Sequence, residues 1–87
     1  MTTLAMKMMD NTDLLDKKRI GKRLQALRKS KGLKQREVAE MLKITTSTYG
    51  GYECGAALIT LESAIRLARH YGCSIEHIIG TYQYYDI

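Results

Sequence analysis

The chain has 87 residues, a formal net charge of +5, and neither Pro, Trp nor Phe. That length supports one domain, near the size at which folding hides only about 60% of the surface an unfolded chain exposes, so every element must share one core. No apolar run approaches the ~20 residues that span a bilayer, and Lys7 and Asp10 bracket too short a run for a signal-peptide core, which excludes a membrane protein and makes a cytoplasmic one the expectation.

Residues 1–15 place Leu4, Met8 and Leu15 only loosely at helical spacing. They read as a flexible N-terminal arm, with methionines that adapt well to a partner surface. Residues 16–43 hold eleven Lys or Arg against three acids, whereas the segments on either side are each slightly acidic. A cationic block of this kind favours a polyanion, with nucleic acid ahead of anionic lipid because the apolar stripes read as core faces. The bland alternative is a solvated basic face kept for solubility.

The first helix is expected from about Asp16 to Lys31, with Ile20, Leu24 and Leu27 inward and Lys17, Lys18, Lys22, Arg23 and Lys29 outward; Gly32 ends it. The second begins near Gln35. Lys34 is a poor N-cap there, since its charge opposes the helix dipole, and a nearby phosphate would relieve that conflict. Residues 35–53, QREVAEMLKITTSTYGGYE, then give two short segments with one inward stripe each, Val38, Ala39 and Leu42 in the first and Tyr49, Tyr52 and Glu53 in the second. The link Lys43, Ile44, Thr45 is too short to wander, and the Thr45 hydroxyl can cap a third helix starting at about Thr46. The outward face of that helix, Thr46, Ser47, Gly50, Gly51 and Cys54, carries only small or hydroxylated residues and allows close approach to another surface.

Gly55 reads as a helix stop and residues 56–59 as an uncharged loop. Thr60 caps a fourth helix with Leu61, Ala64, Ile65, Leu67, Ala68 and Tyr71 inward, ended by Gly72. Ser74 caps a short fifth helix anchored by Ile75, Ile78 and Ile79 and closed by Gly80. Residues 81–87, TYQYYDI, form an aromatic tail that can pack on the bundle or pair with a second copy. Residues 16–80 are thus one all-α domain, with a core expected from Ile20, Leu24, Leu27, Leu33, Val38, Leu42, Ile44, Tyr49, Tyr52, Leu61, Leu67, Ala68, Tyr71, Ile75 and Ile78.

In the order IGKRLQALRKSKGLKQREVAEMLKI, TTSTYGGYECG and LESAIRLARHYGCSIEHIIG, about sixty residues resemble the Cro/repressor-type, or Xre-type, helix-turn-helix family of DNA-binding domains. The resemblance implies a compact five-helix, lambda-repressor-like fold in which helices 2 and 3 form the helix-turn-helix, the third entering the major groove while the second crosses the backbone. Residue by residue, it implies that the Gln35 N–H meets a phosphate while its side chain braces the next helix, and that Thr45, Thr46, Ser47, Gly50 and Gly51 face the bases with Thr48 adjacent. It also implies that Arg28 and Glu53 join helix 1 to helix 3 as a partly buried ion pair. Phosphate contacts are expected from Lys34, Gln35, Arg36, Lys43, Thr48, Lys22 and Arg23. The chain departs from the family in its glycines at 50 and 51, which cost the recognition helix roughly 1 kcal/mol each relative to Ala. It also departs in the uncharged loop, where Leu58 and Ile59 are candidates to face a partner, and in Lys34 at the helix 2 cap.

No enzyme chemistry follows. The spacing of Cys54, His70, Cys73 and His77 matches no familiar zinc pattern, and a Cys-His nucleophile lacks an orienting third group, so neither metal nor cofactor is expected and the cysteines read as reduced thiols. The expectation is a sequence-specific transcriptional regulator acting on double-stranded DNA, paired as a homodimer through Ile75, Ile79, Tyr82 and Tyr84. The alternative is a protein-interaction module, such as an antitoxin or phage modulator, that grips a protein partner through the arm or the tail.

Overall fold

A computed structural model describes residues 15–80, and the expectations for the arm, the tail, Tyr82 and Tyr84 lie outside those residues. Five helices follow one another: α1 (Lys17–Ser30), α2 (Gln35–Leu42), α3 (Thr46–Cys54), α4 (Leu61–Tyr71) and α5 (Ile75–Ile79). Among the described residues no helix is long and apolar enough to cross a membrane.

Local chemistry sets the starts of these helices. Asp16 caps α1 by accepting from the Lys18 and Arg19 N–H groups at 3.0 and 3.3 Å. Thr45, Thr60 and Ser74 do the same for α3, α4 and α5 through the N–H groups of Thr48, Ser63 and His77 at 3.0, 3.1 and 3.0 Å. Each of these oxygens satisfies a donor that the first turn leaves without an intrahelical partner. At α2 the expected weakness of Lys34 is repaired differently: the Glu37 carboxylate reaches back to accept from the Lys34 N–H at 2.8 Å. The acid three residues on also suits the positive end of the helix.

Leu24, Val38, Leu42, Tyr49, Leu67 and Ile78 form the centre, and Leu27, Leu33, Ile44 and Ile75 pack against it from partly buried positions. Two expectations need correction. Leu61 is 70% exposed: as the first residue of α4 it leans back over the preceding turn, where it meets a groove and not the core. Ile59, expected on the surface with Leu58, is buried in the core. Tyr49 and Tyr52 meet edge to face, ring centroids 6.5 Å apart.

At Gly21 the backbone of α1 lies directly against the end of α3. A Cβ placed on Gly21 would fall 2.3 Å from the Glu53 carbonyl oxygen and 2.6 Å from that of Tyr52. These are backbone atoms of a packed helix and cannot swing aside. Gly51 differs, since a Cβ there meets nothing within 4 Å. Gly21→Ala is therefore expected to lower unfolding stability by about 1–3 kcal/mol through overpacking. Gly51→Ala is expected to raise it by up to about 1 kcal/mol through helix propensity. Urea denaturation of the two variants checks both signs.

Candidate nucleic-acid interface

The surface formed by α2 and α3 is set from beneath by three polar side chains. Arg28 of α1 donates through Nε to Glu53 Oε2 at 2.6 Å and through Nη2 to Glu53 Oε1 at 3.0 Å, a two-pronged pair in which the carboxylate side chain is 3% exposed. Its remaining prong, Nη1, donates to the Leu33 carbonyl at 2.9 Å and ties in the α1–α2 turn. Gln35, at the start of α2, donates through Nε2 to Glu53 Oε1 at 3.0 Å. One carboxylate at the end of α3 thus gathers α1, the turn and α2, and Gln35 braces the next helix as the resemblance implies.

Burial would raise the Glu53 carboxyl, but the hydrogen bonds from Arg28 and Gln35 outweigh it and hold the group below its ordinary value. The Arg28 guanidinium is raised, chiefly by its bond to Glu53. Burial pushes the neighbouring phenols of Tyr49 and Tyr71 upward, and the nearby Glu53 charge adds to the shift; neither buried hydroxyl has a hydrogen-bond partner.

Above this frame the α2–α3 turn is built on Lys43, whose backbone is left-handed with φ of 59°. A β-carbon makes that conformation costly, so glycine would be the cheaper occupant. Ile44 tucks against the core behind it, and its N–H reaches the Ala39 carbonyl at 3.0 Å. Thr45 is fully engaged: besides capping α3, its hydroxyl donates to Thr48 Oγ1 at 2.8 Å. Thr46 and Ser47 are exposed, and their hydroxyls have no partner among the described residues. Gly50 and Gly51 continue the same outward surface one turn on.

Of the expected cationic contacts, Lys34, Arg36 and Lys43 are exposed around the α2–α3 pair, and Lys22 stands on α1 beside it. Arg23 is also engaged within the fold. Its Nε donates to the His77 carbonyl at 2.5 Å and its Nη2 lies 3.3 Å from His77 Nδ1, which commits the guanidinium to the seam between α1 and α5. Sequence reasoning placed it with Lys22 because neighbours on a charged helix look alike until the partner helix is known. It passed over Lys18, which lines a cleft beside α3 with Lys22 and Gln25; the four-residue spacing of Lys18 and Lys22 was the available signal.

Ile75 and Ile79 of α5 line an apolar groove of about 320 Å³ together with Leu15, Leu58 and Leu61. Leu15, Leu58 and Leu61 are large hydrophobic residues left exposed. Cys54 lies exposed on α3 and Cys73 half-buried after α4, and no cluster of three His, Cys, Asp or Glu is assembled among the described residues.

A family model described as "Helix-turn-helix" matches residues 24–78. The chain is 40% identical over 58 residues to the uncharacterized HTH-type transcriptional regulator YobD of Bacillus subtilis, an alignment that covers 67% of this chain and 52% of that protein. The chain thus spans about half the length of this curated relative. Among solved structures, a transcriptional regulator from Listeria innocua superposes with a TM-score of 0.67 at 34% identity, covering 70% of this chain and 57% of that one. The restriction-modification controller protein C.AhdI from Aeromonas hydrophila superposes with a TM-score of 0.65 at 29% identity, covering 78% of this chain and 98% of that one.

The ionisable groups in the frame set the pH range of stability. Glu53 is depressed when folded, so its contribution is complete well above its ordinary value of 4.5 and is lost as pH falls through the folded value. Tyr49 and Tyr71 are raised, so theirs is complete below the ordinary 10.0 and is lost as pH rises beyond it. Stability is expected to be flat near neutrality and to fall on both sides. Glu53→Gln should remove much of the acid limb and, by leaving Arg28 without its counter-charge, cost on the order of 3 kcal/mol at pH 7. Chemical denaturation across pH for both proteins measures each effect.

Proposed function

The chain belongs to the helix-turn-helix family, and from that premise we propose that it is a sequence-specific DNA-binding transcriptional regulator acting as a homodimer. The observation that carries the reading is the pair of exposed, unpartnered hydroxyls of Thr46 and Ser47, on a helix whose buried face is locked by Glu53 to Arg28 and Gln35. In this reading α3 enters the major groove. Thr46 and Ser47 donate to or accept from base edges, and the Thr46 methyl is able to touch a thymine methyl. Gly50 and Gly51 let the helix approach closely, and Thr45 contributes mainly by fixing the start of the helix.

Backbone contacts fall to the exposed cations Lys34, Arg36 and Lys43, to Lys22, to the Gln35 N–H at the start of α2, and to Thr48. Short hydroxyl side chains discriminate less sharply than Arg or Gln. DNA shape and the spacing of two half-sites, about one helical turn apart, therefore carry much of the specificity. The apolar groove beside α5 supports pairing of two copies through Ile75 and Ile79, since an apolar surface exposed on a small monomer is a common mark of an interface.

Fluorescence anisotropy with duplexes selected from a random pool tests the DNA reading. Affinity is expected to fall steeply as salt rises, because phosphate contacts release counterions. The double variant Thr46→Ala, Ser47→Ala should keep non-specific binding and lose roughly tenfold or more of the preference for selected sequences, on the scale of about 1–3 kcal/mol per base contact. Duplex binding that does not change between low and moderate salt would rule the reading out. The dimer is checked separately by sedimentation equilibrium. Ile79→Asp should shift the chain toward monomer while circular dichroism stays helical, and an unchanged dimer would exclude the α5 face.

A further inference from the structure

The groove beside α5, about 320 Å³ in volume, is lined by aliphatic side chains alone. Ile20, Ile59 and Ala64 contribute to it from the core, whereas Leu15, Leu58 and Leu61 are 49%, 39% and 70% exposed. No polar or charged group stands in the lining to orient a polar ligand, so the groove suits an apolar occupant of adaptable shape.

The chain itself indicates what covers it. Leu15, the first described residue, is part of the lining, so the segment before it starts from within the groove. Residues 1–14, MTTLAMKMMDNTDL, hold four of the protein's five methionines together with Leu4 and Leu14, against only three charged side chains. Methionine is unbranched and fills irregular apolar surfaces well. Fourteen residues reach up to about 50 Å when extended, ample for a turn back over a groove whose near edge is the next residue. The C-terminal segment is placed differently. It leaves from Gly80, whose Cβ position lies 2.9 Å from Cδ of Arg23, and Arg23 is not part of the groove lining. Tethering also separates residues 1–14 from a second copy of the chain. A segment so linked has an effective concentration on the order of millimolar, which a second copy matches only in concentrated protein.

We propose that residues 1–14 fold back over this groove in the same chain, seating Leu4 and the methionines against Leu58, Leu61 and Ile79. The seated arm covers Ile75 and Ile79 and withholds them from a second copy until it leaves. The seating stands on the groove alone, and the withholding rests on the homodimer reading above. Pairing strength is then set by the fraction of chains whose groove is open, as for any binding-competent state that is populated only in part. Assembly is governed by a segment outside the helices that read DNA.

Nuclear magnetic resonance of the full chain with 13C-labelled methionine methyls tests the seating. Met41 of α2, partly buried against the core, is the internal reference. Through-space contacts are expected from the methyls of residues 1–14 to those of Leu58, Leu61 and Ile79. They should persist at a concentration where sedimentation shows monomer. Leu61→Asp, at an exposed position, should abolish them while the Met41 signal stays in place. Absence of any contact between these methyls and the groove overturns the proposal. In a mixture of labelled and unlabelled chains, contacts found only between chains would replace same-chain seating with a second copy. Contacts from Tyr82 or Tyr84 in place of the methionines would assign the groove to the C-terminal segment and equally sink the proposal.

Sedimentation equilibrium of the full chain carrying Leu4→Asp and Met8→Asp tests the withholding. The dissociation constant of the pair should fall roughly tenfold, the factor for a groove that the arm leaves open about one-tenth of the time. Pairing that is unchanged or weaker in this variant overturns the withholding. Chains that stay monomeric in both forms, with the methyl contacts present, overturn the homodimer reading and leave the seated arm intact.

Discussion

The interaction on which the rest depends is the buried pair of Arg28 and Glu53. Removing two charges from water is costly, and a buried pair is not in itself a strong source of stability. Its value here lies in geometry. The guanidinium fork offers donors in fixed directions, two of them matched to one carboxylate and a third to the Leu33 carbonyl. Glu53 in turn holds the Gln35 amide. An apolar replacement would fill the same volume without specifying the direction from which α2 and α3 leave it. The candidate surface of α2 and α3 is therefore aimed by a polar network, while the apolar side chains around it supply the adhesion.

Much of this was legible in the sequence because local rules and the global fold agree. Thr45, Thr60 and Ser74 each stand before an apolar stripe at helical spacing, and each is the observed cap, while Asp16, expected as the first residue of α1, is its cap. What escaped depended on partners distant in the chain. Periodicity places Leu61 on the α4 stripe, yet a first-turn residue extends back beyond its own helix and found no core there. Ile59 sits in a loop, where periodicity says nothing, yet it joins the buried cluster that holds Ile20 and Ala64. Arg23 and Lys18 look alike only as basic residues of α1; about 140° apart around the helix, they meet different partners, α5 for one and the cleft beside α3 for the other. The repair of Lys34 by Glu37 follows a recognised pattern of spacing and was open to view.

Two features of the candidate surface run against the stability of the isolated domain. Lys43 holds a left-handed backbone that glycine would adopt at lower cost, and two glycines occupy the middle of α3 where neither has a steric need to be glycine. Each departs from the best local choice in the direction that serves contact with an anionic surface: a cation kept at the turn, bulk removed from the helix. Local rules broken without a structural reason cluster at functional positions, where the constraint comes from outside the chain.

The contact at Gly21 works differently. Because the α1 backbone meets the last carbonyls of α3 with no side chain between them, the recognition helix cannot roll or slide along α1 without parting two main chains. Its pose is settled when the protein folds. Association with a rigid duplex then has little orientational freedom of α3 left to freeze, and the entropic penalty of aligning the reading helix has been met in advance. On the proposed reading a weak set of base contacts then suffices for a larger share of the affinity, and a single methyl group at residue 21, on α1 and not on α3, is expected to act on recognition by loosening the angle at which α3 is held.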